Sequence, residues 1–280
     1  MRVAVIGVGL IGGSIAVAAR RRLGAFVSGV DRNPAALDLA LSRGLVDRAC
    51  ETAAEALEEA DAAFVAVPVG ALPEAVGRVL AAAPAGCVVT DVGSTKRAIV
   101  AAHGDARFVG GHPLAGTEHS GAAHADAALL DGATWYLTPT ANTSPELYER
   151  LRALLGRLGA RPERIAPDDH DRLVASISHL PHVLANVLVS EAAATVQAAG
   201  HPLPAAGPSF RDATRVAGAP SAVWTDIFLA NGDMLAAALE AAMALLEEFK
   251  QALVASDPSR IRALNEAAAD ARRSLFEGAR

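Results

Sequence analysis

Three groups of residues in this chain carry side chains or backbone able to cradle phosphates, move protons or hold anions. The first is Gly7-Val8-Gly9-Leu10-Ile11-Gly12, which follows a short apolar run from Arg2 and opens an apolar helical pattern. Asp31 closes the next apolar run, 24 residues after Gly7. In that context Gly-Xaa-Gly-Xaa-Xaa-Gly is a dinucleotide fingerprint. Gly7 permits the tight turn, Gly9 lets the backbone approach a pyrophosphate, and Gly12 lets the helix pack closely on its strand. The amides of Leu10 and Ile11 at the helix start then face the phosphate charge. Asp31 would accept hydrogen bonds from adenine-ribose hydroxyls and repel a 2′-phosphate, so NAD is the expected cofactor, with Arg32 pulling toward NADP. Val67-Pro68 and Asp91-Val92-Gly93-Ser94 end further strand-like runs, where sheets of this kind bind ligands.

The second group is built on histidine. Gly110-Gly111-His112-Pro113-Leu114-Ala115-Gly116-Thr117-Glu118-His119-Ser120-Gly121 begins at a strand end and continues as a glycine-rich loop. A lone histidine is usually structural, but this one is flanked by glycines that allow close backbone approach, which places it over the cofactor crevice. Asp169-His170-Asp171 and Ser178-His179-Leu180-Pro181-His182 follow later. His179 and His182 are three residues apart and share a helix face, and Pro181 should bend that helix. A zinc site or a plain polar face would explain the same pair. No carboxylate or cysteine completes a metal set at helical spacing, so no metal is expected. The third group is Ser209-Phe210-Arg211-Asp212-Ala213-Thr214-Arg215. Arginines by default face solvent, yet a planar guanidinium is the usual partner of a small carboxylate.

The elements that position these groups can be read from periodicity. Strand-like runs at Arg2–Val8, Ala25–Asp31, Ala62–Pro68, Cys87–Val92 and Arg107–Gly111 alternate with helical patterns such as Pro34–Arg43 and Leu72–Ala83. A further strand at Thr134–Pro139, a helix from Ser144 to about Leu158 and a short strand ending at Ile165 complete the unit. This alternation predicts an α/β Rossmann domain with a mostly parallel sheet over residues 1–165. From Pro167 the pattern is helical, which predicts an all-helical domain over residues 166–280. Asp168 is the expected cap of a helix reaching Ala199, Ser221 that of a segment reaching Val254, and Asp257 that of a last helix with Pro258 at its first position. Gly200–Pro208 reads as a loop. Ala and Leu lie on more than one face of these helices, so a homodimer through the helical domain is expected.

Composition excludes several classes. With 25 basic and 31 acidic residues the net charge is −6, which disfavours a nucleic-acid partner. Arg20-Arg21-Arg22 ends a predicted helix and complements its dipole. The 52% hydrophobic content suits a buried core rather than disorder. The uncharged run Leu173–Ser190 contains His179, Pro181, His182 and Asn186, and reads as a buried helix rather than a membrane span. Cys50 and Cys87 read as buried thiols of a reducing compartment. The strand pattern already under way at Arg2 leads us to expect no secretory leader and a cytoplasmic location.

The ordered set of motifs resembles a family. The opening glycine motif, Asp91-Val92-Gly93-Ser94-Thr95-Lys96, Gly110 to Glu118, Ser178 to His182 and Arg211-Asp212-Ala213-Thr214-Arg215 stand in the order seen in prephenate and arogenate dehydrogenases, over residue 1 to about Gly232. The resemblance implies NAD-dependent oxidative decarboxylation of prephenate to 4-hydroxyphenylpyruvate in tyrosine biosynthesis, or of arogenate to tyrosine directly. Carried onto these positions, His112 takes the hydrogen bond or proton of the substrate hydroxyl, and Ser94 orients that hydroxyl or His112. His182 and Arg215 bind the dicarboxylate substrate, with Arg215 on a carboxylate. His179, Thr117 and Glu118 line the site, and Glu118 would gate it. A neutral imidazole is required for the proton transfer, so activity is expected to fall as pH drops through the histidine range, near 6.5 if unperturbed.

Two rival readings are weaker. A β-hydroxyacid dehydrogenase would need a lysine on the interdomain helix, whereas the chain's lysines are Lys96 and Lys250. A non-catalytic NAD-sensing module would not need His112 beside the nicotinamide.

Overall fold

Alternate side chains of β1 (Arg2–Ile6) enter two different cores, Val3 and Val5 on one face of the sheet, Ala4 and Ile6 on the other. A strand covered on both faces needs an unbroken apolar run, which Val3–Ile6 supplies. The computed structural model describes residues 1–116, 119–199 and 206–277. After β1 come α1 (Leu10–Leu23), β2 (Phe26–Val30), α2 (Pro34–Ser42), β3 (Arg48–Ala49), α3 (Ala53–Leu57) and β4 (Ala62–Val65). α4 (Leu72–Ala82), β5 (Val88–Asp91), α5 (Arg97–Ala102), β6 (Phe108–Pro113), β7 (Thr134–Thr138), α6 (Pro145–Arg157) and β8 (Arg161–Arg164) follow. α1 buries Gly12–Ala19, contributing Ile15 through Ala19 to the first core. α4 buries Leu72, Ala75, Val76, Val79 and Leu80, the stripe that a 3.6-residue period puts on one face, in the second.

The strands form one eight-stranded sheet in the order β3-β2-β1-β4-β5-β6-β7-β8. All neighbours are parallel except β6 and β7. β1 lies between β2 and β4, the reversal point at whose carboxyl edge such sheets open a crevice. The two-residue β3 was not expected, because Arg48–Ala49 offers no apolar alternation.

Helices then take over: α7 (Pro167–Val174), a π-turn at Ala175–His179, α8 (Leu180–Ala199), α9 (Pro208–Thr214), a 3₁₀ turn at Arg215–Gly218, α10 (Ser221–Ala230), α11 (Gly232–Val254) and α12 (Pro258–Glu277). Several expectations need correction. Ala166, not Asp168, is the cap before α7, because Pro167 takes the first helical position; Asp168 and Asp169 sit in the first turn, where the dipole favours them. The disturbance expected at Pro181 takes the form of the π-turn at Ala175–His179 within a helical run that continues to Ala199. Pro181 cannot donate to the carbonyl four residues back, and the chain widens into the π-turn just before it. The segment from Ser221 to Val254 is not continuous, since Asn231 interrupts it and turns its buried side chain to other partners. Asp257 does cap α12, accepting the amides of Ser259 and Arg260 at 3.0 Å each. The expected loop at Gly200–Pro208 lies largely outside the described residues, with Pro208 already helical.

The expectation that Leu173–Ser190 is buried also fails for the single chain. Pro167–Ala198 is long and apolar enough to cross a membrane by length and composition, but only 28% of its most apolar window is buried. Ile177, Val187, Leu188 and Val189 are exposed, whereas His170, Asp171, His179 and His182 are buried.

By compactness the chain divides into Met1–Gly232 and Asp233–Arg280. The change from sheet to helices falls where β8 gives way to α7, but the first unit runs through it. α7 packs on α5, and α10 packs on the 3₁₀ turn Val69–Ala71 after β4. In the second unit, Arg260 of α12 pairs with Glu248 of α11, and Met243, Leu245, Leu246, Leu253 and Val254 of α11 are exposed.

Candidate active site

The carboxyl ends of β1, β2 and β4 enclose a cleft of about 570 Å³ whose lining includes Gly7, Gly9, Asp31, Arg32, Val67 and Pro68. Gly7 has φ +96°, and a Cβ there would meet the backbone oxygen of Ala66 at 2.4 Å. A Cβ on Gly12 would meet the backbone oxygen of Gly7 at 1.9 Å, so this turn closes only with glycine at both places. Gly9 differs: a Cβ would meet nothing within 4 Å, and its bare face borders the cleft. Gly9 is also the cap of α1 and offers no side-chain hydrogen bond, and the first turn holds no acidic residue. The amides of Leu10 and Ile11 therefore start a helix whose positive end is left to an anion. Leu10 and Ile11 themselves do not line the cleft. Asp31 accepts the amides of Val8 and Asn33 at 2.8 Å each, which ties the glycine turn to the end of β2. A carboxylate has about four acceptor sites, so acceptors remain for a ribose. An open glycine face, an uncapped helix start and the half-buried Asp31 carboxylate at the cleft wall fit a dinucleotide.

Farther along the same carboxyl edge, β6 carries His112, which is 9% exposed. Its Nδ1 lies 2.8 Å from Nε2 of His170 on α7, and His170 Nδ1 lies 2.7 Å from Asp171 Oδ1. His170 and Asp171 are fully buried. Beneath them, the fully buried Lys96 pairs with Asp91 and donates to the backbone oxygen of Gly111 at 2.8 Å. Asp91 also accepts the amides of Gly93 at 2.8 Å and Gly111 at 3.0 Å, locking the turn after β5 to β6. Burial pushes Lys96 below its ordinary value against the pull of Asp91. Burial, then the neighbouring His170, Lys96 and His179, holds His112 well below the usual histidine range. The acid limb expected near 6.5 therefore moves lower. Ser94 is half-buried in the locked turn, and the Nδ1 partner of His112 is His170 rather than this serine.

A second cleft, of about 310 Å³, is lined by Gly116, Ile177, Pro181, His182, Arg215 and Trp224 with their neighbours. His182 stacks on Trp224 with ring centroids 3.4 Å apart, and burial lowers it against an opposing hydrogen bond with the Val216 backbone. His179 is 1% exposed and is pushed down to about 4, chiefly by burial. These histidines are neutral hydrogen-bonding groups near pH 7, so they do not supply the positive charge that a dianion requires. Arg215 is exposed and is the fixed cation among the residues lining this cleft. Thr117 and Glu118 lie outside the described residues.

Residues 15–163 match the family model described as prephenate dehydrogenase, nucleotide-binding domain, and residues 166–266 that described as prephenate dehydrogenase, dimerization domain. The chain belongs to the prephenate dehydrogenase family. It is 35% identical to the prephenate dehydrogenase of Bacillus subtilis over 242 residues, 82% of this chain, and spans 64% of that relative's length. The crystal structure of Aquifex aeolicus prephenate dehydrogenase in complex with hydroxyphenyl propionate and NAD+ superposes with a TM-score of 0.88 at 29% identity, covering 98% of each chain. Synechocystis arogenate dehydrogenase superposes with a TM-score of 0.82 at 30% identity, covering 98% of this chain and 100% of that one. Membership of the prephenate dehydrogenase family fixes a nucleotide-binding domain followed by a helical dimerisation domain.

Within this family frame, the geometry brings together residues that the motifs alone did not. His170 and Asp171 were visible only as a polar cluster of unassigned role. Asn231 donates to the Asp171 backbone oxygen at 2.8 Å and to His179 Nδ1 at 3.3 Å. Arg97 places its backbone amide and Nε on Asp171 at 3.0 and 3.4 Å. Trp224 packs on both His179 and His182. The one available signal for Asn231 was its position before Gly232 inside an otherwise apolar helical stretch. Among the described residues, no three His, Cys, Asp or Glu side chains are grouped to hold a metal.

Proposed function

We propose that the protein is an NAD-dependent prephenate dehydrogenase that converts prephenate to 4-hydroxyphenylpyruvate. The observation that carries this reading is His112, a buried histidine favoured in its neutral form, on the carboxyl edge of the sheet that bears the dinucleotide cleft. NAD, when bound, accepts the hydride from the ring carbon that carries the 4-hydroxyl. Gly7, Gly9, the start of α1 and Asp31 hold the dinucleotide, and His112 accepts the hydroxyl proton as the carbon–oxygen double bond develops. The ring carboxylate leaves as carbon dioxide, its bonding electrons complete the aromatic ring, and His112 returns the proton to the phenolate oxygen. No proton is gained or lost overall. Arg215 fixes a substrate carboxylate, Ser94 orients the hydroxyl, His179 donates its Nε2–H to a substrate oxygen, and His182, whose N–H is taken by the Val216 backbone, lines the substrate cleft. Aromatisation drives the reaction, so the side chains chiefly orient and hold the proton.

The relatives named above favour prephenate; the Synechocystis structure keeps arogenate as the second reading. Lys96 is unsuited to the hydroxyacid-dehydrogenase alternative, since it is buried against Asp91 and Gly111. The exposed apolar side chains of α8 and α11 support a homodimer. The test is to mix purified protein with NAD and either prephenate or arogenate and follow reduced-cofactor absorbance. Turnover with prephenate at the higher kcat/KM supports the proposal, and turnover with arogenate alone replaces the substrate.

A further inference from the structure

The chain of contacts from Asp171 to His112 carries information about where protons sit. The Asp171 carboxylate accepts the amides of Lys96 and Arg97 at 2.7 and 3.0 Å, besides Arg97 Nε. Burial opposes its ionisation, but the hydrogen bonds from His170 and these amides hold it below the usual carboxylate range. An ionised carboxylate has no proton to give, so His170 Nδ1–H is the donor in the 2.7 Å contact. In a neutral His170 ring, Nε2 is then a bare lone pair, and the 2.8 Å contact requires His112 Nδ1–H to donate to it. His112 is left with its lone pair on Nε2.

We propose that His170 and Asp171 are positioning residues that select the His112 tautomer with a basic Nε2 and steady the imidazolium formed when that nitrogen takes a proton. This rests on His112 being the base in the reading above and names the atom that acts. In the step itself the substrate O–H bond breaks and an Nε2–H bond forms. The ring's new positive charge is met by a stronger Nδ1–H···His170 hydrogen bond, itself backed by the Asp171 carboxylate. The surroundings are consistent with a ring that starts neutral. From the β5 turn, Lys96 and its partner Asp91 lie beside it; Arg97 and Asp171 stand behind His170; His179 faces it from the π-turn. Tyr136 on β7 meets the His170 ring edge-on at 5.7 Å. Among the described residues, the hydrogen-bond partner of His112 Nδ1 is His170 Nε2. The contact spans 58 residues and joins α7 to the sheet, so the tautomer depends on that docking.

The experiment is ¹⁵N NMR of the histidine rings in the full chain without cofactor or substrate, above the ordinary histidine range, with His112 assigned by its loss in His112→Asn. The expected result is a protonated Nδ1 and a bare Nε2. His170→Phe, which removes the acceptor, should move the His112 proton to Nε2 and lower kcat by about 10²-fold or more, with KM changed less than about threefold. His170→Gln, whose Oε1 can accept in place of Nε2, should keep the native tautomer and recover most of that loss. A native His112 protonated on Nε2 overturns the proposal, as does a His170→Gln variant that falls as far as His170→Phe. If His170→Phe does not fold, the native and Gln spectra decide. A native spectrum as expected, in a protein that turns over neither prephenate nor arogenate, upholds the tautomer and removes the functional reading instead.

Discussion

Asn231 Nδ2 lies 3.3 Å from His179 Nδ1 and 2.8 Å from the backbone oxygen of Asp171, while Arg97 Nη2 reaches Asn231 Oδ1 at 3.5 Å. A cation on one end of the amide and a carbonyl on the other fix which end is nitrogen. His179 Nδ1 therefore accepts, its proton sits on Nε2, and this buried N–H has no partner among the described residues. An unsatisfied buried donor costs about 1–3 kcal/mol, which a substrate oxygen would recover. Asn231→Ala should raise KM about tenfold with a smaller change in kcat. An unchanged KM would mean that His179 Nε2 does not meet substrate.

The buried histidines also make stability depend on pH. Unfolded, His179 titrates near 6.5; folded, it titrates near 4, and His112 is lowered as well. Between those values the unfolded chain binds more protons than the native one, so stability falls as pH falls from 6.5 toward 4 and rises in the other direction. The urea midpoint should decline over that window, and less steeply in His179→Gln. Parallel declines in the two proteins would contradict the assignment.

Asp31 should make NAD a better cofactor than NADP. Asp31→Ser should narrow the difference in kcat/KM by removing repulsion of the 2′-phosphate. The same change removes the acceptor of the Val8 amide, so a loss of about 1–2 kcal/mol in stability should accompany it. Equal kcat/KM for the two cofactors in the unaltered protein would refute the role given to Asp31.

A dimer is expected from the apolar side chains left in solvent by the single chain, among them Leu246 and Leu253 of α11, 60% and 62% exposed. Light scattering at micromolar concentration should give twice the chain mass, and Leu246→Glu with Leu253→Glu should halve it. A monomeric unaltered protein would contradict this.

What could be read from the sequence was local. Gly7, Gly9, Gly12 and Asp31 are spaced by the geometry of one βαβ unit, and the buried runs of β1, β4 and β5 stand out as continuous apolar stretches. His112 was marked by the glycines beside it. The residues that orient His112 and His179 were not legible as such, because their contacts span 58 and 52 residues and depend on how α7 docks and where Asn231 breaks a helix. The π-turn was hidden for a related reason: Pro181 announces a disturbance but not the form that the backbone gives it. Burial of His112 among like charges lowered a titration that its residue type alone would place near 6.5.

The measurement that bears most directly on the account is kcat for His112→Asn with NAD and prephenate, beside the unaltered protein. Asparagine keeps some hydrogen bonding but cannot take the hydroxyl proton, so kcat should fall by about 10²–10⁴ with KM little changed. NAD binding, followed by fluorescence quenching, should survive, because Gly7, Gly9 and Asp31 border a cleft that His112 does not line. A His112→Asn protein that binds NAD and retains its kcat would show that the base lies elsewhere and would contradict the mechanism.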